Sequence, residues 1–388
     1  MSRRVMFRYV GLFLLLVIIG TAIFAYVRYF RFINVSAIRS EATETNVLLP
    51  AQFESTVFAS GLETPRFMGV DDSGVLHVAD RRASAIIALP DENGDGVADE
   101  HVVVASDLGL PHSITWHEGA WYVGVPSGVI RLIDEDGDLV ADVQEVVVDG
   151  ITTDGSHTTR TVDFLPDGRM VLSVGSTCNV CDEEDERRAT ILIYDDKEGN
   201  GERILATGLR NAVGLDVYPE TGELWASNNG RDLMGDDEPP ETIHIIEDGL
   251  DYGWPTCHSG RIIDPDMGSP GDCEGVETPI VEMQAHSAPL GITFYDGDQF
   301  PTEYQGDLFI AFHGSWNRSV PTGYKVVRLD FDEAGNPASA VEDFATGWLN
   351  DEDGSSSGRP TGVTVGGDGA LYVTDDKGGF IYRIAYAE

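Results

Sequence analysis

Gly222-Glu-Leu-Trp-Ala226 is a glycine followed by a short apolar run of strand type, and this arrangement occurs six times in the chain. The other five are Gly74-Val-Leu-His-Val78, Gly119-Ala-Trp-Tyr-Val123, Gly168-Arg-Met-Val-Leu172, Gly306-Asp-Leu-Phe-Ile310 and Gly369-Ala-Leu-Tyr-Val373. In chain order the six glycines are 45, 49, 54, 84 and 63 residues apart. Another short apolar run lies upstream, as in Arg66-Phe-Met-Gly-Val70 and Gly362-Val-Thr-Val365. A third follows, as in Ile86-Ile-Ala-Leu89, Ile191-Leu-Ile-Tyr194 and Val326-Val-Arg-Leu329. Short strands punctuated by turn residues, in units of about 45–50 residues, predict an all-β fold: a six-bladed β-propeller over residues 50–388. Phe53-Glu-Ser-Thr-Val-Phe58 is a spare strand before the first unit, and it is expected to complete the last blade and close the ring. A β-sandwich array would not need so regular a unit.

The 388 residues hold 66 Asp and Glu against 25 Lys and Arg, a formal charge of −41. Residues 1–39 contain six Arg and no acid, so the rest carries 19 basic against 66 acidic residues, or −47. Such a body excludes general nucleic-acid binding, which needs a basic surface to neutralise phosphate. Residues 9–27 are uncharged and include Gly11-Leu-Phe-Leu-Leu-Leu-Val-Ile-Ile-Gly20. As a helix they would span about 28 Å, close to the hydrocarbon thickness of a bilayer. The expected organisation is a short cytoplasmic terminus at 1–8, a retained transmembrane anchor at 9–27, a linker at 28–49 and an exterior domain. Arg3, Arg4 and Arg8 before the span and Arg28 and Arg31 after it orient it only mildly. The acidic domain is more easily placed on the periplasmic or extracellular side.

Four cysteines suit that compartment. Cys178 and Cys181 form a CxxC, and Cys257 and Cys273 lie 16 apart; four cysteines allow three pairings, and two local disulfides are the simpler expectation. Asp182 follows Cys181, which excludes the CxxCH of covalent haem. Two acidic hairpins, with Asp91, Asn93, Asp95 and Asp99 in one and Asp134, Asp136, Asp138 and Asp142 in the other, place oxygens at positions 1, 3, 5 and 9, the start of a calcium loop. The first has Val102 rather than Glu at position 12, and Asp, Asn and Gly also favour tight turns, so both readings stay open.

In a propeller, the loops entering the innermost strands form one mouth of the central channel. Arg66, His112, His157, Arg210 with Asn211, His286 and Arg359 fall at those entries. A ring of cations inside so acidic a body would attract a compact polyanion.

The segment 208–255 contains Gly208-Leu-Arg-Asn-Ala-Val-Gly214, Ser227-Asn-Asn-Gly-Arg-Asp232 and Gly249-Leu-Asp-Tyr-Gly-Trp-Pro255. With Asp154-Gly-Ser-His-Thr158, Ser176-Thr-Cys-Asn-Val-Cys181, His313-Gly-Ser-Trp-Asn-Arg318 and Gly358-Arg-Pro-Thr-Gly362, it resembles the pyrroloquinoline-quinone (PQQ)-dependent sugar dehydrogenases. The resemblance is closest to their membrane-associated sorbosone-dehydrogenase-like branch and covers roughly residues 50–385. It implies PQQ over the channel with calcium on the cofactor. His157 looks like the general base that takes the sugar hydroxyl proton while hydride passes to the quinone. Arg210 and Asn211 resemble the pair that touches the quinone oxygens. Arg359, Arg318, His286 and His313 would contact the cofactor. The carbonyls of Gly230 and Arg231 look like cofactor-calcium ligands, and Asp236 and Asp237 resemble a nearby calcium site. Ala212 replaces the family's usual Pro after Arg-Asn.

The expected function is therefore a membrane-anchored quinoprotein dehydrogenase that oxidises an aldose or sorbosone-like sugar. With no haem motif encoded, electrons would pass to an external acceptor, a cytochrome or the quinone pool. A calcium-dependent hydrolase of the lactonase type is the alternative, and it would need carboxylates converging on a channel metal. A non-catalytic binding propeller is the third reading, which fold alone never excludes.

Overall fold

The computed structural model describes residues 45–332, 335–338 and 340–387. The expected anchor at 9–27 lies outside the described residues, among which no helix is long and apolar enough to cross a membrane. Within them the chain forms six antiparallel sheets of four strands and one two-stranded ribbon. The first strands of the sheets are Pro65–Val70, Ser113–His117, Arg160–Phe164, Ala212–Val217, Pro289–Phe294 and Pro360–Val365. Each packs against the first strands of the blades on either side, and the sixth returns to the first, which closes the six-bladed ring.

The repeat has a backbone cause. Each of the six glycines sits in the turn before its blade's second strand, with φ between 76° and 87°. This left-handed conformation costs a residue with a Cβ roughly 1–2 kcal/mol. Gly168 isolates that term, because nothing lies within 4 Å of a Cβ built there. Gly168→Ala should therefore lower unfolding stability by about 1–2 kcal/mol, seen in urea as a shifted midpoint at unchanged slope.

Hydroxyl groups join the blades. Thr115 Oγ1 donates to Val162 O at 2.7 Å, Ser227 Oγ to Leu290 O at 2.7 Å and Thr374 Oγ1 to Arg66 O at 2.8 Å. Each satisfies an innermost-strand carbonyl of the next blade that would otherwise be buried without a partner.

The spare strand is Phe53–Ser60, and it pairs antiparallel with Phe380–Tyr386, the third strand of the last blade. The last sheet therefore joins both ends of the propeller. The 84-residue interval reflects an insertion before Val281–Met283, the outer strand of the fourth blade. The insertion carries the ribbon Cys257–His258 with Ile262–Ile263. Both local disulfides form, Cys178–Cys181 and Cys257–Cys273.

The acidic hairpins join third to fourth strands and act as turns. Asp91 accepts the N–H groups of Gly94 and Gly96, and Asp134 those of Gly137 and Leu139. Among the described residues, Asp134, Asp136 and Asp138 bring their carboxylates within 4.8 Å of one another, whereas Asp91, Asp95 and Asp99 form no such group. Repulsion from Asp138 raises the Asp136 carboxyl above its ordinary range.

Candidate active site

The loops entering the innermost strands surround a cavity of about 510 Å³. It brings together His157, Arg210, Asn211, Gly230, His286, His313 and Arg359 from the expected set, with Arg66 and Arg81 beside them. Residues from five blades thus meet in one space, because they stand near the start of an innermost strand or, for Arg81, Gly230 and His313, just past the end of the antiparallel second strand beside it.

His157 is held as a neutral base. Its Nδ1 lies 2.9 Å from Ser176 Oγ and 3.0 Å from Ser176 O. The Ser176 hydroxyl proton is already given to Cys178 O at 2.7 Å. Both Ser176 oxygens can then only accept from His157, so the proton sits on Nδ1 and Nε2 keeps its lone pair. Burial, then the Arg210 charge, push the imidazole down to about 3. The folded group therefore binds its proton more weakly than the unfolded one. It contributes stability above the ordinary value of 6.5 that is lost as pH falls toward 3. In the cofactor-free protein, 15N NMR should show His157 neutral and Nδ1-protonated from about pH 8 down to about pH 5. A midpoint near 6.5 would contradict the assignment.

Arg210 is the most heavily bonded group. Its Nη2 pairs with Asp232 at 2.8 Å, its Nη1 donates to Gly230 O at 2.7 Å, and its Nε donates to Asn179 O at 3.0 Å. Asn211 lies beside it, with Nδ2 3.3 Å from Asn229 Oδ1. Arg66 pairs with Asp376 at 2.6 Å, and His313 Nε2 lies 2.9 Å from the same carboxylate. Arg359 and Arg81 differ: neither has a carboxylate partner among the described residues. Arg359 donates to the carbonyls of His313 and Gly314, and Arg81 to Leu110 O and Thr158 Oγ1. His286 Nε2 donates to Gly235 O at 2.9 Å.

Several expectations are corrected. Arg318 does not line the cavity; its guanidinium turns to Asp236 O, Ala285 O and the Asp237 carboxylate, and so pins the 235–237 loop. His112 stands at a strand entry but is fully buried under Phe67, accepting Arg66 Nε at 3.2 Å. Gly230 O already carries the Arg210 guanidinium, and the Arg231 side chain is locked to Asp264 and Asp266. Asp236 accepts Ser319 N–H, and Asp237 faces Arg318. A guanidinium on the carbonyl that calcium would need repels a second cation, so Gly230 O as held here does not fit that ion.

Sequence reading passed over Asp232, Glu241 and Asp376, which also line the cavity. Asp232 lay inside a quoted motif with no role assigned. Glu241 likewise had no role assigned. It is buried, accepts the N–H groups of Gly230 and Ala288 at 2.7 and 3.2 Å, and burial pushes its carboxyl up to about 7.

A family model described as TrAA12-like matches residues 48–387. The chain belongs to the TrAA12-like family. The curated relatives of this family member include the PQQ-dependent pyranose dehydrogenase of Coprinopsis cinerea, 26% identical over 392 residues that cover 84% of this chain and 52% of that protein. The chain spans about half the length of the curated relatives it matches. Among solved structures, a calcium structure of Trichoderma reesei Carbohydrate-Active Enzymes Family AA12 superimposes with a TM-score of 0.78 at 22% identity, covering 90% of this chain and 99% of that one. The holo form of the pyranose dehydrogenase PQQ domain from Coprinopsis cinerea gives 0.75 at 23% identity, covering 90% and 98%. At these identities the structural likeness establishes the propeller shared by this TrAA12-like chain and its neighbours.

Proposed function

We propose that the chain is a PQQ-dependent dehydrogenase that oxidises a pyranose, aldose or sorbosone-like sugar and passes its electrons to an external acceptor, a cytochrome or the quinone pool. The observation that carries the reading is a pair of guanidinium groups, Arg81 and Arg359, that face the cavity without carboxylate partners in a chain of charge −41. With so many acids available, cations left unpaired at one point favour an anionic ligand, and guanidinium forks match carboxylates. The cavity is of a size that holds a small cofactor and part of a sugar. Arg359 and Arg81 would hold the cofactor carboxylates, with Arg210 and Asn211 at its quinone oxygens. When bound, the cofactor supplies the hydride acceptor.

His157 Nε2 accepts the proton of the sugar hydroxyl, while Ser176 keeps the ring turned toward the cavity. Arg210 donates toward oxygens on which negative charge develops, and Asp232 limits its freedom to turn away. The hydrolase alternative loses support at the carboxylates. Asp232 is paired with Arg210, Asp376 with Arg66 and His313, and Glu241 is spent on backbone N–H groups, so none converges on a metal position.

The full chain should bind PQQ, followed by the quinone absorbance in a titration, and an aldose panel with an artificial acceptor should then bleach that band. Failure to bind the cofactor would sink the proposal and leave a binding propeller. The anchor at 9–27 and an exterior propeller belong to the same reading, supported by the uncharged stretch and by two disulfides that suit an oxidising compartment. Carbonate extraction and protease protection in membranes test it, and release of the intact chain by carbonate would refute the anchor.

A further inference from the structure

The four residues closed by the Cys178–Cys181 disulfide lie behind the cavity rather than in it, yet they touch the site from two sides. Asn179 Oδ1 accepts Arg210 Nη2 at 2.9 Å and Asp232 N–H at 2.8 Å, and its Nδ2 donates to Asp232 O at 3.0 Å. Its carbonyl accepts Arg210 Nε at 3.0 Å and Trp254 Nε1 at 3.2 Å. One asparagine therefore engages both members of the Arg210–Asp232 ion pair with all the polar atoms of its side chain. The neighbouring carbonyl, that of Cys178, takes the Ser176 hydroxyl proton that fixes His157. A free loop of this length would lose much of that geometry to conformational entropy, and the disulfide confines it.

We infer that Asn179, held in the Cys178–Cys181 loop, is the positioning residue that aims Arg210 into the cavity. Apart from Asn179, Arg210 is held by Gly230 O and the Asp232 carboxylate, and Asp232 also accepts Asn317 Nδ2 at 3.0 Å; an ion pair fixes distance better than direction. The planar amide supplies the direction, through one bond to the guanidinium and two to the backbone of its partner. The inference rests on the reading of Arg210 given above, but the placement can be tested without the cofactor.

The test uses the full chain as wild type, Asn179→Ala, Asn179→Asp, Arg210→Ala and the Asn179→Ala/Arg210→Ala double variant. A lost hydrogen bond to a charged group corresponds to a roughly tenfold to hundredfold effect, so Asn179→Ala should lower kcat for the sugar by at least about tenfold with KM little changed. Asn179→Asp keeps the acceptor facing Arg210 and should restore most of that loss. In the double variant the losses should not add, in kcat or in PQQ affinity by titration, because Asn179 acts through Arg210. Additive losses, or wild-type kcat in Asn179→Ala, would overturn the inference. The cofactor-free readout is the 15N order parameter of the Arg210 Nε–H group. It should fall from the rigid range of about 0.85 toward about 0.6 in Asn179→Ala, and an unchanged value would equally overturn it. If the wild type binds no PQQ while Arg210 still loosens in the variant, the dehydrogenase reading fails and the positioning stands.

Discussion

His157→Ala is expected to reduce kcat by about 10²–10⁴-fold, the usual contribution of a placed general base, while PQQ affinity stays near wild type. The two halves of the result have separate causes. His157 lines the cavity with a free Nε2 lone pair, and burial and Arg210 hold it neutral, so it attracts no carboxylate. The cations at Arg359, Arg81 and Arg210 are untouched by the substitution, and the cofactor should still be retained. Stopped-flow reduction of the preloaded protein checks the first half and an absorbance titration the second. Loss of affinity with unchanged bleaching per bound cofactor would make His157 a binding group and remove it from proton transfer.

The second large effect concerns the ring. Phe53 belongs to the spare strand, and its ring meets Phe300, Tyr304, Phe344 and Tyr386 edge to face at centroid distances of 4.8 to 5.2 Å. Phe300 and Tyr304 come from the connection between the first two strands of the fifth blade, Phe344 from that blade's outer strand, and Tyr386 from the closing strand. Phe53→Ala should cost about 3–5 kcal/mol, as for other buried phenylalanines. Removing the side chain also loosens the strand that pairs the start of the propeller with its last blade. Equilibrium urea unfolding measures this against Gly168→Ala as a reference of small effect. A change below about 1 kcal/mol would show that closure does not rest on this cluster.

The fold was legible because its signal is local and repeated. A glycine with positive φ before an apolar strand is a property of a few adjacent residues, and six copies at near-regular spacing leave little else to infer. Strand entries followed directly, which is why His157, Arg210, Asn211, His286 and Arg359 were found together. His112 and Arg318 show where this reasoning stops. Both sit at plausible positions, but whether a side chain faces the channel depends on what packs beside it. Phe67 and Arg66 enclose His112, and Asp237 with two carbonyls draws Arg318 away. Glu241 and Asn179 were given no role because their partners are distant: Asn179 meets Arg210 from 31 residues away, and Glu241 meets Ala288 from 47. The carbonyl expected to bind calcium shows a related limit. Carbonyl ligands have no residue type to read, and the carbonyl in question is held by a guanidinium.

The pairing of Phe53–Ser60 with Phe380–Tyr386 also sets an order of events. A ribosome delivers the first of these strands before the other five blades and the second after them, so the sixth blade cannot be assembled until all five have emerged. Until then the first strand is an unpaired edge, able to pair with the closing strand of another molecule as readily as with its own. Each nascent chain must keep its first strand idle while the five intervening blades are made, and crowded synthesis would favour exchange between neighbours.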